Sequence, residues 1–385
     1  MEAYITPIKI ALLTFPFIAF LLSLPFLIHQ YHKYGGFTFW RAFIIFSFIF
    51  YLMCAYFLVI LPLPSQAEVN ELTTRRVQFI PFQFVIDFVR ETVFSFLHPR
   101  TYAEALKQGV LIQPLFNLLL LLPLGVYLRF YFKRSFKFVI LAGFFTALFF
   151  ELTQLSGLYG IYSRSYRLFD VDDLMLNTAG ALLGFAIAPA ITFFIPDEER
   201  LINTAYSRSH RVSYLRRFIA FMIDWTIIAI IAVFVTIGGE AIFVSNVIYE
   251  FSILNILRYL MTIIVFFVII PYLTKGRTLG KAIVHLKIVN DLDQPPSPNL
   301  YMVRYGILYG LIFTNINLTV TMLDLTGTSN HLNLLNYLII ISFFFTLVFA
   351  IHLLMSKLRK NEPLFYEKIS YTHMMSSFSL FKKKR

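Results

Sequence analysis

Glu151 and Gln154 lie three residues apart in an otherwise apolar stretch, and Asp170, Asp173 and Asn177 follow at i, i+3 and i+7. On a helix beginning near Asp170 these three would share one face, and acids in its first turn would complement the helix dipole. Asn117 places one more polar group in a separate apolar segment, and Arg164 and Arg167 stand between Glu151 and the aspartates. Two chemistries fit this set. Oxygens of Glu151, Asp170 and Asp173 can ligate a divalent cation while Arg164 or Arg167 holds a phosphate, which would be metal-assisted hydrolysis of a lipid phosphate. The same groups can instead frame a polar cleft that binds a ligand without cutting it. A purely structural alternative pairs Glu151 with Arg164 or Arg167 and locks the intervening loop onto its neighbours, and buried charge pairs alone are weak evidence for either reading. No His falls in this group and no nucleophile–base spacing is readable, so binding is favoured over catalysis. No catalytic residue, cofactor or resident metal is assigned.

A second isolated carboxylate, Asp224, lies about two turns into a later apolar run, with Arg217 before it and Arg304 well after it. An ion pair with Arg217 or Arg304 is the plain explanation, and a site for a monovalent cation or proton is the sharper one. The run Gly276-Arg277-Thr278-Leu279-Gly280-Lys281 lacks the four-residue gap and the Lys-Ser/Thr ending of a phosphate-binding P-loop. His29 and His32 share a loop and read as interfacial, and the single Cys54 can form no intrachain disulfide.

The elements that carry these residues follow from composition. Of 385 residues 58% are hydrophobic and 14% charged, where a soluble domain carries about 25% charged. Such a chain cannot cover a water-facing surface, and its 45 Phe and 22 Tyr suit lipid contact and interface belts. The fold class is all-α: a polytopic integral membrane protein of about nine transmembrane helices, near 8–28, 39–62, 110–131, 137–157, 174–195, 217–237, 254–273, 301–321 and 333–355. With the N-terminus outside and the C-terminus in the cytoplasm, the inside segments hold 24 of the 33 basic residues, as the positive-inside rule requires. The net charge of +12 is explained by those loops, so nucleic acid is not called as a partner. The tail ends Lys382-Lys383-Lys384-Arg385, suited to anionic lipid or to solvent.

In that arrangement Asn117 lies about 10 Å inside the outer end of its span, Glu151 and Gln154 at most about 8 Å, and Asn177 about 5 Å. Three helices of alternating direction thus bring polar groups to the outer half of the membrane. In the outside loop, Phe79, Phe82, Ile86, Val89, Val93 and Phe96 recur at spacings of 3 and 4, which predicts an amphipathic helix at about 79–97 in the outer interface. Thr178, Gly180 and Gly184 offer a small-residue surface for close helix approach. The expected divisions are a five-span unit over 1–196, a basic cytoplasmic linker over 197–216, a four-span unit over 217–356 and a basic cytoplasmic tail over 357–385.

The run Pro114-Leu115-Phe116-Asn117, leading to Leu122-Pro123-Leu124-Gly125, resembles the signature of VanZ-like proteins. So do Glu151-Leu152-Thr153-Gln154, Phe169-Asp170-Val171-Asp172-Asp173 and Asn177-Thr178-Ala179-Gly180, and earlier Leu61-Pro62-Leu63-Pro64 and Ile80-Pro81-Phe82. The resemblance covers roughly residues 40–195, with Arg164 and Arg167 both eligible for the family's arginine. Roughly 205–355 resembles the RDD family, through Arg217-Phe218-Ile219-Ala220 with Asp224, the Gly276–Lys281 run, Leu286-Lys287-Ile288-Val289 and Arg304. The family's second aspartate has Asp291 and Asp293 as candidates. The first resemblance implies a cell-envelope protein that lowers susceptibility to teicoplanin-type glycopeptides. The partners expected with it are membrane lipids and a lipid-linked cell-wall precursor or the lipoglycopeptide. The second implies transport, with monovalent cations as cargo. Together they imply a multi-pass protein of the cell membrane of a Gram-positive bacterium.

Overall fold

The computed structural model describes residues 2–73, 75–95, 97–242, 253–313, 332–358 and 363–378. Seven helices among these residues are long and apolar enough to cross a membrane, and an eighth apolar helix, Tyr259–Leu273, is shorter. The seven correspond to seven of the nine expected spans and the shorter helix to another. The expected span at 301–321 is described only to residue 313, and the stretch Lys382–Arg385 lies outside the described residues. The protein is a helical, multi-pass membrane protein.

The chain divides into two compact units, one of Met1–Leu22 with Thr38–Leu201 and one of Ser23–Phe37 with Ile202–Arg385. The first helix, α1 (Glu2–Tyr34), therefore contributes to both.

In the first unit, α2 (Phe39–Ile60) leads into a short α3 (Gln66–Glu71) started by a Ser65–Glu68 capping box. Strand β1 (Val77–Gln78) precedes α4 (Gln83–Glu91) and α5 (Arg100–Ala105). The next span is broken into α6 (Gly109–Leu120) and α7 (Leu122–Phe130). Pro123 has no N–H to continue the ladder, and the Tyr51 hydroxyl donates to the Leu120 carbonyl at the break, at 2.9 Å. Helix α8 (Phe136–Leu155) is followed by α9 (Gly157–Gly160), a single turn with Leu158 and Tyr159 at positive φ, then β2 (Phe169–Asp170) and α10 (Val171–Ile191). The two strands pair in parallel, Val77 opposite Phe169 and Gln78 opposite Asp170.

The expected small-residue surface on α10 is present and is used. A Cβ on Gly180 would lie 1.9 Å from the Leu118 carbonyl oxygen, and one on Gly184 would lie 1.9 Å from that of Leu122. Backbone therefore meets backbone along the α10 face that packs on α6 and α7. Leu121, Leu124, Val139, Ala147, Phe150, Leu174 and Ala181 fill the core around them.

The helix expected over 79–97 is shorter than its apolar pattern. Phe82, with a left-handed φ of 63°, fixes the start of α4, and extended Thr92 ends it. Helix α4 lies against α6, and Phe84, Val85 and Phe88 border one apolar cavity with Val110, Leu111 and Pro114. Phe82, Ile86, Val89 and Val93 of the expected stripe remain exposed, and Phe96 lies outside the described residues.

The second unit contains α11 (Glu198–Ser209), α12 (Tyr214–Ile242) and α13 (Ile253–Ile263), the last continued by a π-helical turn, Ile264–Ile269, into α14 (Ile270–Leu273). After these come α15 (Leu279–Ile283), β3 (Leu286–Asn290), α16 (Pro298–Tyr305), α17 (Leu332–Leu358), α18 (Phe365–Ile369) and β4 (Thr372–Ser376). The linker is thus partly helical. Within the expected basic tail, β4 pairs antiparallel with β3 from Leu286–Ser376 to Asn290–Thr372. Arg216, fully buried, joins these segments by donating to the carbonyls of Ser209 and Val284 at 2.7 Å, His285 at 2.9 Å, and to the Ser376 hydroxyl. His32 stacks on His285, with ring centroids 5.3 Å apart.

Candidate functional site

Helices α6, α8 and α10 place Asn117, Glu151, Gln154, Asp173 and Asn177 around one cavity of about 490 Å³, and Arg167 joins them from the loop before β2. Two of the eight residues assigned to this site do not reach it: Arg164 and Asp170 are absent from the lining. Arg167, which also donates to the Leu61 carbonyl at 3.4 Å, is the arginine that faces the cavity. Leu58, Leu61, Phe116, Leu120 and Phe150 supply apolar lining beside the polar groups.

The polar side chains hold one another in place. Glu151 Oε2 accepts the backbone N–H of Asp170 at 3.0 Å, so this carboxylate joins the end of α8 to the start of α10 through the backbone. The link that Glu151 makes to the segment before α10 therefore runs through a backbone N–H donor of the strand. Asn117 donates to Asp173 Oδ1, Asn177 donates to the Asp173 carbonyl at 2.7 Å, and Gln154 donates to the Val59 carbonyl at 2.8 Å.

Asp170 does not share a helical face with Asp173 and Asn177. It is the extended N-cap of α10, and its carboxylate turns back to accept the Asp172 N–H at 2.8 Å. Burial pushes the Asp170 carboxyl above its ordinary value, opposed by that N–H and reinforced by the Asp172 and Asp87 carboxylates. Among the described residues no three acidic, His or Cys side chains come together as a cation cage. Glu151 and Asp173 line the cavity while Asp170, engaged as the cap of α10, does not, so the three carboxylates of the metal-assisted alternative do not share one lining.

Asp172, which the sequence did not single out, is buried and accepts the N–H of Phe82 at 2.6 Å and of Phe84 at 2.9 Å. It caps α4 from 90 residues away, supplying an oxygen to orphan donors that helix starts otherwise leave bare. The signal available in the sequence was an acid in the first turn of α10, which reads locally as a dipole partner.

In the second unit Asp224, Arg217 and Arg304 line another cavity, of about 460 Å³ and mostly apolar. The expected pairing is corrected. Asp224 accepts from the Thr278 hydroxyl at 2.5 Å and the Gly280 N–H at 2.7 Å, and its cation is Lys281 at 3.6 Å. Arg304 and Arg217 instead hold Glu367 of α18, at 2.8 and 3.1 Å. A cation at Asp224 would have to displace Lys281. Asp293 meets His373 at 3.1 Å on exposed surface, away from this group.

Residues 48–194 match the family model described as VanZ/LLP1, and residues 211–363 match that of the RDD family. The chain is a VanZ-like unit fused to an RDD-family unit. Nothing matches it among the curated proteins or the solved structures. The cavity with Glu151 and Asp173 lies within the VanZ-like segment, and the RDD-family segment includes Asp224, Lys281 and Arg304. In the RDD-family unit, burial works to raise the Glu367 carboxyl, but the Arg304 and Arg217 guanidiniums outweigh it and the net position is below the ordinary value. Glu367 was passed over because its partners stand 63 and 150 residues away, with no local pattern to announce them.

Proposed function

We propose that this membrane envelope protein binds a lipid-linked envelope component, or the lipoglycopeptide itself, in the cavity of its VanZ-like unit, and so lowers susceptibility to teicoplanin-type glycopeptides. In the proposed orientation the N-terminus is outside and the cavity opens in the outer half of the cell membrane of a Gram-positive bacterium. One observation carries the reading: seven polar side chains from three spans and one loop converge on a cavity that also has apolar walls. Polar groups at membrane depth are costly unless they face a partner or a ligand, and a lipid-bearing ligand needs both kinds of lining.

The role of Arg167 is to meet an anionic group of the ligand, and that of Glu151 is to hold the polar floor. Expression of wild type and Glu151→Gln at matched membrane levels in a sensitive host, with teicoplanin compared against vancomycin, tests this. Selective protection against teicoplanin that disappears in Glu151→Gln is expected. Equal protection by both forms would remove Glu151 from the site, and none by either would remove the resistance role.

A further inference from the structure

The hydrogen-bond polarity of the cavity restricts its ligand further, on the reading that it binds an envelope amphiphile. A carboxamide carries one acceptor oxygen and an NH2 with two N–H donors, and an ionised carboxylate only accepts. Asn177 and Gln154 each point NH2 at a backbone carbonyl, and Asn117 points its own at the Asp173 carboxylate. Backbone carbonyls and an ionised Asp173 accept without donating, so the orientation of these three carboxamides is fixed; each keeps its oxygen, and a second N–H, beyond the bond named. Asn177 Oδ1 is buried with no hydrogen-bond partner, on a side chain only 5% exposed that lines the cavity. Glu151 accepts from the chain through Oε2 and Asp173 through Oδ1, which leaves one carboxylate oxygen of each for a ligand. Among the described residues, Arg167 is the single cationic side chain in the lining.

A buried acceptor without a donor is destabilising, and two carboxylates at membrane depth are more so. A ligand rich in N–H donors and positively charged relieves both. We infer that the cavity recognises a primary ammonium group, received by Glu151, Asp173 and Asn177, on an amphiphile whose adjoining phosphate or carboxylate meets Arg167. An ammonium has three donors to set against these three acceptors. A quaternary ammonium has none, and a purely anionic head group would meet two carboxylates. The apolar lining of Leu58, Leu61, Phe116 and Leu120 takes the first part of the chain.

The test uses the full-length protein in detergent, with binding measured by native mass spectrometry against three short-chain diacyl lipids. These are phosphatidylethanolamine, which has the primary ammonium; phosphatidylcholine, which has the same charges and no N–H; and phosphatidylglycerol, which has no amine. Phosphatidylethanolamine is expected to bind about tenfold or more tightly than either, as one or two charge-assisted hydrogen bonds would provide. Glu151→Gln and Asn177→Leu should each reduce that preference, while Arg167→Gln should weaken phosphatidylethanolamine and phosphatidylcholine alike. The comparison among lipids on wild-type protein stands even if a variant folds poorly. Equal binding of all three, or a preference for phosphatidylglycerol, would overturn the ammonium inference and leave the amphiphile reading in place. No retained lipid of any kind would overturn both.

Discussion

Glu151 accepts the backbone N–H of Asp170 at 3.0 Å, a contact between the last turn of one span and the strand residue that starts the next. Asp170 is then free of the cavity, capping α10 through its side chain, while Glu151 and Asp173 remain in the lining. The division of labour among four neighbouring carboxylates follows: Asp170 and Asp172 build helix starts, and Glu151 and Asp173 line the cavity.

Asp172→Ala should release α4 without collapsing the bundle. The two N–H groups it accepts lie at the start of that helix, and loss of a cap costs about 1 kcal/mol, up to about 2. Hydrogen exchange is expected to speed up over residues 83–91 and to stay unchanged in α8 and α10. Unchanged exchange in α4 would show that its packing on α6 suffices.

Gly180→Val should be among the most damaging changes in the VanZ-like unit. Its Cβ would sit 1.9 Å from the Leu118 carbonyl oxygen, which is backbone and cannot rotate away. Overpacking of this kind costs about 3 kcal/mol or more, read as a large fall in the thermal unfolding midpoint of the purified protein. Substituting Gly109, which has open space around it, is the matched control and should have little effect.

The ordered C-terminal segment should respond to acid. The folded value of Glu367 is held below its ordinary one, so its contribution is fully present above the unfolded value, about 4.3, and is lost as pH falls through the folded value. Exchange protection of residues 363–378 is expected to be flat from about pH 7 to 5 and to fall below about pH 4. Glu367→Gln should remove it at neutral pH as well, since Arg304 would be left buried without its anion, at a cost of about 3–5 kcal/mol. Protection that is unaffected by Glu367→Gln would contradict the clamp.

The sequence disclosed what depends on local pattern. Apolar runs marked the spans, Asn117, Glu151, Gln154 and Asn177 were legible as polar interruptions in their outer halves, and Asp173 as an acid near the start of a span. What it concealed depends on pairing across distance. That Asp173 rather than Asp170 or Asp172 faces the cavity turns on where α10 starts, at the end of the β1–β2 pairing of Gln78 with Asp170. The stripe from Phe79 to Phe96 overstated α4 because apolar periodicity continues through residues whose backbone is extended or left-handed. Glu367 looked like one charge in a basic tail until β4 brought its segment beside β3 and Arg304.

The most direct test of the central claim, an outward-opening polar cavity, is thiol accessibility. In a Cys54→Ala background, one cysteine is introduced by Gln113→Cys, in the lining beside Asn117, and in a second protein by Lys137→Cys, at the opposite end of α8 from Glu151. Intact cells are treated with a membrane-impermeant maleimide. Gln113→Cys should label from outside, and Lys137→Cys only after permeabilisation. Labelling of Lys137→Cys in intact cells, with Gln113→Cys protected until the membrane is opened, would place the cavity on the cytoplasmic side and contradict the proposed function.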